Sequence, residues 1–311
     1  MDAPLSPAFE ALAAQADLRA LRPPWAPGLV LVLARWQGAA PILDPRAAGI
    51  GQTQAEARRR ALGELGESLA ICAAAHPAPV PVSAGGRILC ADARAVPDAD
   101  GQGSEGCAAG PTPEAARAAA FCERAERAAL ALWWQGRLAI RADTAPDLRR
   151  LRFGAGHERI TRLFALPLLP GLAIRLAVSS DADGARLSMG SAAHPDPTRA
   201  AGAALREMCQ AELAWLLPPR HPDEAERDHR DQGLRARLPR SCAQAETDPP
   251  ADLPELIARM RAAGLDCGFA DLSHPTLGLP AARCICPDWP LARQVLAPAP
   301  TQPLSPPARG Q

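Results

Sequence analysis

Three pairs of polar residues, each spaced i and i+3, are the residues of this chain best placed to do chemistry. Each pair occupies the same position in one of three related stretches, which begin at Gly51, Gly110 and His194. The members are Glu64, Glu67, Glu123, Glu126, Glu207 and, in the third copy, the amide Gln210. Like charges at i and i+3 slightly destabilise a helix, so their repetition brings no structural benefit. If the copies converge, five carboxylates and one amide share one confined space.

Such a group of acids favours divalent cations, because buried carboxylates are costly unless they are neutralised. Oxygen ligands indicate Mg²⁺ or Ca²⁺ over zinc. Mg²⁺ usually takes one or two protein carboxylates and completes its shell with phosphate oxygens, so several Glu residues suggest more than one Mg²⁺ on the phosphates of a nucleotide. The alternative is that these Glu residues are solvated on ordinary amphipathic helices, with no site at all.

The elements that must position the pairs are three helices whose register is set by their caps. Thr53, Thr112 and Asp196 are good N-cap residues, and in the last two copies a Pro follows, where a helix tolerates it best. Counted from the cap, Ala at offsets 4 and 8 and the pair at offsets 11 and 14 form one stripe along each helix. The small residues let the first turns pack closely against neighbouring elements.

The loops before the second and third helices share the form S-x-G-x-A-A. They are Ser104–Gly110 and Ser188–His194. A hydroxyl and small residues just before a helix N-terminus favour the binding of an anion such as phosphate. As plain tight turns, the same loops need no ligand, and the pattern alone leaves both interpretations open.

The rest of the chain alternates strand-like and helical runs, which predicts a mixed α+β domain. Expected strands are Gly28–Trp36 and Gly136–Asp143, with a hairpin at Gly171–Ser191 that turns at Asp183-Gly184. A helix ending at Gly264 and two short strands follow. The expected organisation is an N-terminal extension at 1–27, a domain at 28–296 with an exposed insertion at 218–252, a loop at 96–106 and a Pro-rich tail at 297–311.

Composition and charge exclude several classes of function. Net charge is zero and no basic cluster stands out, so neither nucleic acid nor an anionic membrane is an expected partner. All 34 positive residues are Arg, which excludes a P-loop or Schiff-base lysine. The longest apolar run, Leu163–Ile174, is too short to span a bilayer, and the N-terminus does not resemble a signal peptide. Nine cysteines without a C-x-x-C pair indicate reduced thiols, and we expect a cytoplasmic protein.

Taken together, these motifs resemble the YcaO family of ATP-dependent enzymes. The family has the same three helices, the S-x-G-x-A-A-G loop, a Trp pair after the second helix (Trp133 and Trp134) and a closing segment similar to Gly264–Pro287. The resemblance implies a YcaO-type α+β fold, with mixed sheets and three equivalent helices around a site for ATP and Mg²⁺. It implies that Glu64, Glu67, Glu123, Glu126 and Glu207 bind metal, that Ser104, Ser188, Glu64, Glu123, Gln210 and Arg127 bind the nucleotide, and that Arg283 is catalytic.

The activity implied by the resemblance is phosphorylation of a peptide amide oxygen, which leads to an azoline ring or a thioamide. Its partners are a peptide or protein substrate and an accessory protein for peptide recognition or sulfur delivery; a homodimer is left open. Ile50 and Ser68 stand where members often carry Lys and Arg, and the ending "PLSPPARGQ" lacks the P-x-P-x-P of many azoline-forming members. A scaffold that binds a peptide or partner without catalysis, or an Ala-rich structural protein, are the alternatives.

Overall fold

The computed structural model describes residues 6–38, 46–73, 104–144, 148–155, 158–216, 224–239, 243–245, 248–274 and 276–290. They form small antiparallel sheets combined with helices, which confirms the predicted α+β class. In chain order the elements are α1 (Pro7–Ala14), β1 (Ala16–Leu21), β2 (Val30–Trp36), β3 (Arg46–Gly51), α2 (Gln54–Ala73), β4 (Cys107–Ala109), α3 (Pro113–Trp134), β5 (Arg141–Asp143), α4 (Arg149–Arg152), β6 (Ile160–Ala165), β7 (Ala173–Ser180), β8 (Ser188–His194), α5 (Pro197–Ala211), a 3-10 turn (Glu212–Trp215), α6 (Glu224–Arg237), α7 (Leu253–Ala262), β9 (Gly268–Asp271) and β10 (Ala281–Ile285). None of these helices has both the length and the apolar character needed to cross a membrane.

The three repeated helices are α2, α3 and α5, and each begins at the predicted cap. The hydroxyl of Thr53 accepts a hydrogen bond from the N–H of Glu56 at 3.1 Å. Thr112 accepts in the same way from Ala115 at 3.2 Å, and the carboxylate of Asp196 accepts from the N–H of Thr198 at 2.8 Å. These bonds satisfy N–H groups that a helix leaves open in its first turn, so the caps fix where each acidic pair falls.

Each repeated helix carries a strand directly on its stripe of small residues. In α2, α3 and α5 the Ala residues of that stripe are fully buried, and they are Ala57, Ala61, Ala116, Ala120, Ala200 and Ala204. The approach is closest at two glycines. A Cβ added to Gly49 in β3 would lie 2.1 Å from the backbone N of Ala61, and one added to Gly190 in β8 would lie 2.1 Å from that of Met208. The two backbones can approach this closely only because the strand carries glycine and the helix carries alanine at the contact.

The first sheet has the order β1-β2-β3 and includes the segment expected to be an extension. All six residues of β1 pair with β2, from Ala16 opposite Trp36 to Leu21 opposite Leu31. Phe9 and Leu12 of α1 are buried in the same core as Leu62 and Leu65 of α2. The described part of residues 1–27 therefore belongs to the first unit of the domain, which corrects the expected boundary at Gly28.

Two further sheets complete the framework, with orders β4-β10-β9 and β5-β6-β7-β8. The predicted hairpin is confirmed, since β7 pairs with β8 and the turn contains Gly184 at φ +80°. The strand expected at Gly136–Asp143 is shorter, because Gly136 at φ +74° ends the turn after α3 and β5 begins only at Arg141. Strand β8 is the edge strand of its sheet, and β3 is an edge strand of the first sheet. Each of these two strands is followed directly in the chain by a repeated helix.

The segment expected to be an exposed insertion at 218–252 is attached to the domain through α6. The side-chain Nε of Arg237 in α6 donates to the backbone oxygen of Trp134 at 2.8 Å, and its guanidinium lies 4.1 Å from the centre of that indole ring. Leu234 is 2% exposed. Most other described side chains between 232 and 252 are exposed, so the exposed insertion stays a prediction in which α6 is the attached part. The tail at 297–311 and most of the loop at 96–106 lie outside the described residues.

A buried charged network holds the C-terminal end of α5. Glu212, which is 1% exposed, accepts hydrogen bonds from Arg152 to both carboxylate oxygens at 2.7 Å. Its Oε1 also accepts from Arg159 at 3.0 Å and from the hydroxyl of Ser179 in β7 at 2.6 Å. Paired charges of this kind are tolerated in a core because both oxygens of the carboxylate accept hydrogen bonds from opposite charges. The network ties the helix that carries the third pair to the strands beside it.

Candidate active site

A cavity of about 1080 Å³ lies among the three repeated helices, and the acidic pairs line it. Strands β3 and β8 and the start of α7 complete its walls. The structure brings together all six residues of the predicted pairs, which are Glu64, Glu67, Glu123, Glu126, Glu207 and Gln210. Ser104 and Arg127 also line the cavity, as expected for nucleotide-binding residues. The offsets 11 and 14 bring these residues together because the three caps place three helices in the same register.

Ser191 connects acids from two of the helices, and the sequence analysis missed it. Its backbone N–H donates to Oε2 of Glu207 at 2.8 Å, and its hydroxyl donates to Oε1 of Glu126 at 2.6 Å. Arg127 is the cation nearest to the second pair, with distances of 3.8 Å to Glu123 and 3.7 Å to Glu126. Together, Ser191 and Arg127 orient part of the cluster but leave most of its negative charge unbalanced.

Partial desolvation and mutual repulsion raise the pKa values of four of the acids. Burial, with the charges of Glu123 and Glu64, raises the pKa of Glu67 to about 10. Burial, opposed by Arg127 and reinforced by Glu126, raises the pKa of Glu123 to about 8. Desolvation within the cavity, with the charge of Glu126, raises the pKa of Glu207 to about 7, and desolvation also raises the pKa of Glu64, although both side chains are partly exposed to solvent. Although burial opposes it, these acids raise the pKa of Arg127, which stays charged.

This donor set fits hard divalent cations, because it offers several carboxylate oxygens with too little positive charge around them. Within the described parts of the chain, no group of three or more His, Cys, Asp or Glu residues is arranged to hold a metal ion by itself. Mg²⁺ usually binds one or two carboxylates and takes its other ligands from phosphate and water. A zinc site, which needs three or four Cys, His or acidic ligands, is a poorer match.

Two predicted site residues are not brought into the cavity. Ser188 is buried at the start of β8 and accepts a hydrogen bond from the indole N–H of Trp215 at 3.1 Å. Ser191 comes three residues later along the strand, about 10 Å further on, and there the strand reaches the cavity. The structure therefore places Ser191 where Ser188 was expected.

Arg283, the predicted catalytic residue, is buried in β10 and is not part of the cavity lining. Burial raises the pKa of Cys107 to about 12, while Arg283 acts in the opposite direction and Glu67 and Glu123 add to the rise. Arg283 is thus near Cys107 and, through it, the acids, but it does not line the cavity.

The remaining lining divides into a cationic part and an apolar part. Arg46, Arg60 and Arg206 come from β3, α2 and α5. Apolar lining residues come from several walls: Ala115, Ala118, Ala119 and Phe121 belong to α3, Leu253 and Leu256 to α7, Ile50 to β3 and Ala192 to β8. The position of Arg60, one helical turn before Glu64 on the stripe of α2, was a signal in the sequence, whereas Arg206 follows no repeat. The cavity therefore offers carboxylates, guanidinium groups and an apolar surface to one ligand.

Comparison with known proteins gives a family match and several structural matches. Residues 91–289 match the model of the family described as YcaO cyclodehydratase, ATP- and Mg²⁺-binding. The structure is similar to that of YcaO from Methanopyrus kandleri bound with AMPPCP and Mg²⁺, with a TM-score of 0.68 and 19% identity over 89% of this chain and 87% of that one. No curated protein matches the sequence significantly.

Two further solved structures are similar. A heterocyclase in complex with substrate and cofactor matches with a TM-score of 0.68 and 17% identity over 92% of this chain, which spans about half (52%) of that one. A chain of the E. coli microcin synthetase McbBCD complex matches with a TM-score of 0.57 and 12% identity over 88% of both chains. At these identities the similarity concerns the fold, and it confirms the predicted fold type.

Proposed function

Because this chain belongs to the YcaO cyclodehydratase family, with ATP and Mg²⁺ as its cofactors, we propose that it activates a backbone amide of a ribosomally made peptide or protein. The activated group is the amide oxygen, which becomes phosphorylated after a nucleophile adds to the carbonyl carbon. A neighbouring Cys, Ser or Thr side chain as nucleophile yields an azoline ring with loss of water. External sulfide yields a thioamide, in which sulfur replaces the amide oxygen.

The observation that carries this proposal is the convergence of five carboxylates from three helices in one cavity. Glu64 and Glu67 from α2, Glu123 and Glu126 from α3 and Glu207 from α5 are the residues that would hold Mg²⁺. Without cations, the raised pKa values of Glu64, Glu67, Glu123 and Glu207 mean that charging these acids together is unfavourable in the folded chain. A site that needs dications in this way is suited to the phosphates of ATP.

When bound, Mg²⁺-ATP supplies the phosphoryl group that turns the amide oxygen into a leaving group. The protein's own contribution is positioning and charge neutralisation, which dominate catalysis of phosphoryl transfer. Ser191 fixes Glu126 and Glu207 relative to each other. Arg127 stays positively charged beside the second pair, and Gln210 lines the cavity as a neutral amide.

We further propose that another protein assists this chain, either by recognising the peptide or by delivering sulfur. A chain with a similar fold belongs to the microcin synthetase McbBCD complex. This observation supports an assembly in which a second protein contributes to the reaction.

The proposal is tested by phosphate release from ATP and by intact mass. The full chain is incubated with ATP, Mg²⁺ and a synthetic peptide library rich in Cys, Ser and Thr, with and without sulfide. We expect peptide-stimulated phosphate release and a product that has lost water or exchanged oxygen for sulfur. Glu64→Gln should lower the rate by roughly a hundredfold or more, since one metal-facing charge is lost, whereas the exposed Glu10→Gln should leave it unchanged.

A second candidate function is a scaffold that binds peptide or partner without turnover. Ile50 and Ser68, which replace the basic residues that many family members carry, both line the cavity. The hydroxyl of Ser68 donates to the backbone oxygen of Glu64 at 3.0 Å, so it does not supply the missing charge. Peptide binding without any phosphate release would favour the scaffold and contradict the enzyme.

A further inference from the structure

Two arginines and one glutamate form a cluster on the cavity wall where α2 meets α5. Arg60 and Arg206 both line the cavity. Oε1 of Glu56 lies 3.2 Å from Arg60 Nη2 and 3.6 Å from Arg206 Nε. The other oxygen, Oε2, accepts the backbone N–H of Gln52 at 2.9 Å. One carboxylate therefore faces two guanidinium groups, and the cluster has a net positive charge.

Arg206 is the member of this cluster that lacks a full set of partners. Its side chain is 14% exposed, and its Nε is buried without a hydrogen bond from any described residue. Burial and the charge of Arg60 lower the pKa of Arg206, against the opposing effect of Glu56. Two neighbouring guanidinium groups cost free energy when they leave water unless anions offset both charges, and the single carboxylate of Glu56 offsets only one of them. The cluster is therefore arranged for an anion that comes from outside the chain.

The cluster is next to the acids, and the same cavity also offers aromatic and aliphatic side chains. Arg60 precedes Glu64 by one helical turn and opposes the rise in its pKa that burial causes, and Arg206 directly precedes Glu207. Phe121 of α3 and Leu256 of α7 belong to the cavity lining but not to the cluster. A nucleoside triphosphate likewise combines an aromatic base, metal-binding phosphates and a terminal phosphate with the highest charge.

Resting on the proposed function, we infer that Arg60 and Arg206 bind the terminal phosphate of ATP and thereby select the triphosphate over the diphosphate. Guanidinium groups donate paired N–H groups to phosphate oxygens, which makes them strong and directional ligands. The chain contains no Lys, so every side-chain cation that can meet a phosphate is an Arg or a His. ADP lacks the terminal phosphate and leaves the cluster without its anion.

Calorimetric titration of the full chain with ATP and with ADP, each with Mg²⁺, tests this inference. We expect Arg206→Gln to weaken ATP binding about tenfold or more, because hydrogen bonds to a charged group are lost, and to change ADP binding less than about twofold. Arg60→Gln should act in the same direction with a smaller effect, since the Arg60 side chain is 42% exposed. That exposure also makes Arg60→Gln safe for folding.

Arg58→Gln is the matched control, because Arg58 is exposed on the same helix and does not line the cavity. It should leave both affinities unchanged. Equal losses for ATP and ADP, or no loss in either cavity variant, would overturn the inference while the proposed function stands. A wild-type chain that binds neither nucleotide would overturn both.

Discussion

The charge state of single carboxylates decides how this site responds to pH. In the folded, metal-free chain, the pKa values of Glu67, Glu123 and Glu207 are raised to about 10, 8 and 7. An unfolded chain returns these groups to the ordinary glutamate value of about 4.3. The folded state therefore binds more protons than the unfolded state at every pH between these values.

The sign of the resulting pH dependence follows from that difference. Stability from the protonated acids is complete below the unfolded pKa and is lost as pH rises towards the folded values, so the melting temperature without Mg²⁺ should fall from about pH 5 to about pH 9. Mg²⁺ replaces the protons, and its stabilising effect should be larger at about pH 8 than at about pH 5.5. Thermal unfolding at several pH values, with and without Mg²⁺, measures both effects.

A matched pair of variants identifies the groups responsible. Glu123→Gln removes a buried acid with a raised pKa, so the metal-free variant should be more stable than the wild type at about pH 8 and gain less from Mg²⁺. Glu10→Gln, at an exposed position in α1, should behave as the wild type does. A melting temperature that rises with pH in the absence of Mg²⁺ would contradict the assigned pKa shifts.

At the residue scale, the acids could be predicted and their serine partner could not. Glu64, Glu123 and Glu207 recur at one offset from a recognisable cap, which is a local signal. The choice between Ser188 and Ser191 depends on how far β8 runs before it reaches the cavity, and that distance is set by its pairing with β7. Strand pairing joins distant parts of the chain, so the loop pattern alone did not show that Ser191, and not Ser188, lines the cavity.

At the scale of elements, the account depends on strands lying directly on the repeated helices. The caps and the Ala stripe predicted α2, α3 and α5 correctly, because both are local signals. The pairing of β1 with β2 and the docking of α6 on Trp134 were missed. The residues of β1 and α6 show no periodic pattern that predicts these contacts, because both contacts depend on residues far away in the sequence.

Gly190→Ala tests the contact between β8 and α5. The added Cβ would lie 2.1 Å from the backbone N of Met208, so strand and helix must separate, and we expect a loss of about 1–3 kcal/mol or more in the free energy of unfolding. Gly63→Ala, within α2, is the control, since nothing lies within 4 Å of its added Cβ. Replacing a helical Gly with Ala there should stabilise the chain by up to about 1 kcal/mol.

Urea unfolding of both variants measures these free energies. If Gly190→Ala unfolds at the same urea concentration as the wild type, the strand does not lie against α5 as the structure has it. Loss of nucleotide affinity should accompany the destabilisation, because Ser191 is the next residue in the strand and holds Glu126 and Glu207.

At the scale of the whole molecule, three strand–helix units bring residues from Arg46 to Leu256 around one cavity. The repeated register predicted that the acids converge, but a register cannot show which walls carry cations and which are apolar. The apolar side chains of α7 and the guanidinium of Arg206 in α5 both line the cavity. Neither belongs to the repeat pattern, so the repeat could not predict them. The family match to residues 91–289 and the similar structures are consistent with this assembly of units.

Calorimetric titration of the purified chain with ATP, with and without Mg²⁺, tests most directly whether acids from all three helices form one site. Three variants remove one carboxylate from each helix: Glu64→Gln, Glu123→Gln and Glu207→Gln. We expect tight binding that requires Mg²⁺ in the wild type and a loss of roughly tenfold or more in every variant. Binding that is equally tight without Mg²⁺, or that responds to only one of the three helices, would contradict the common site.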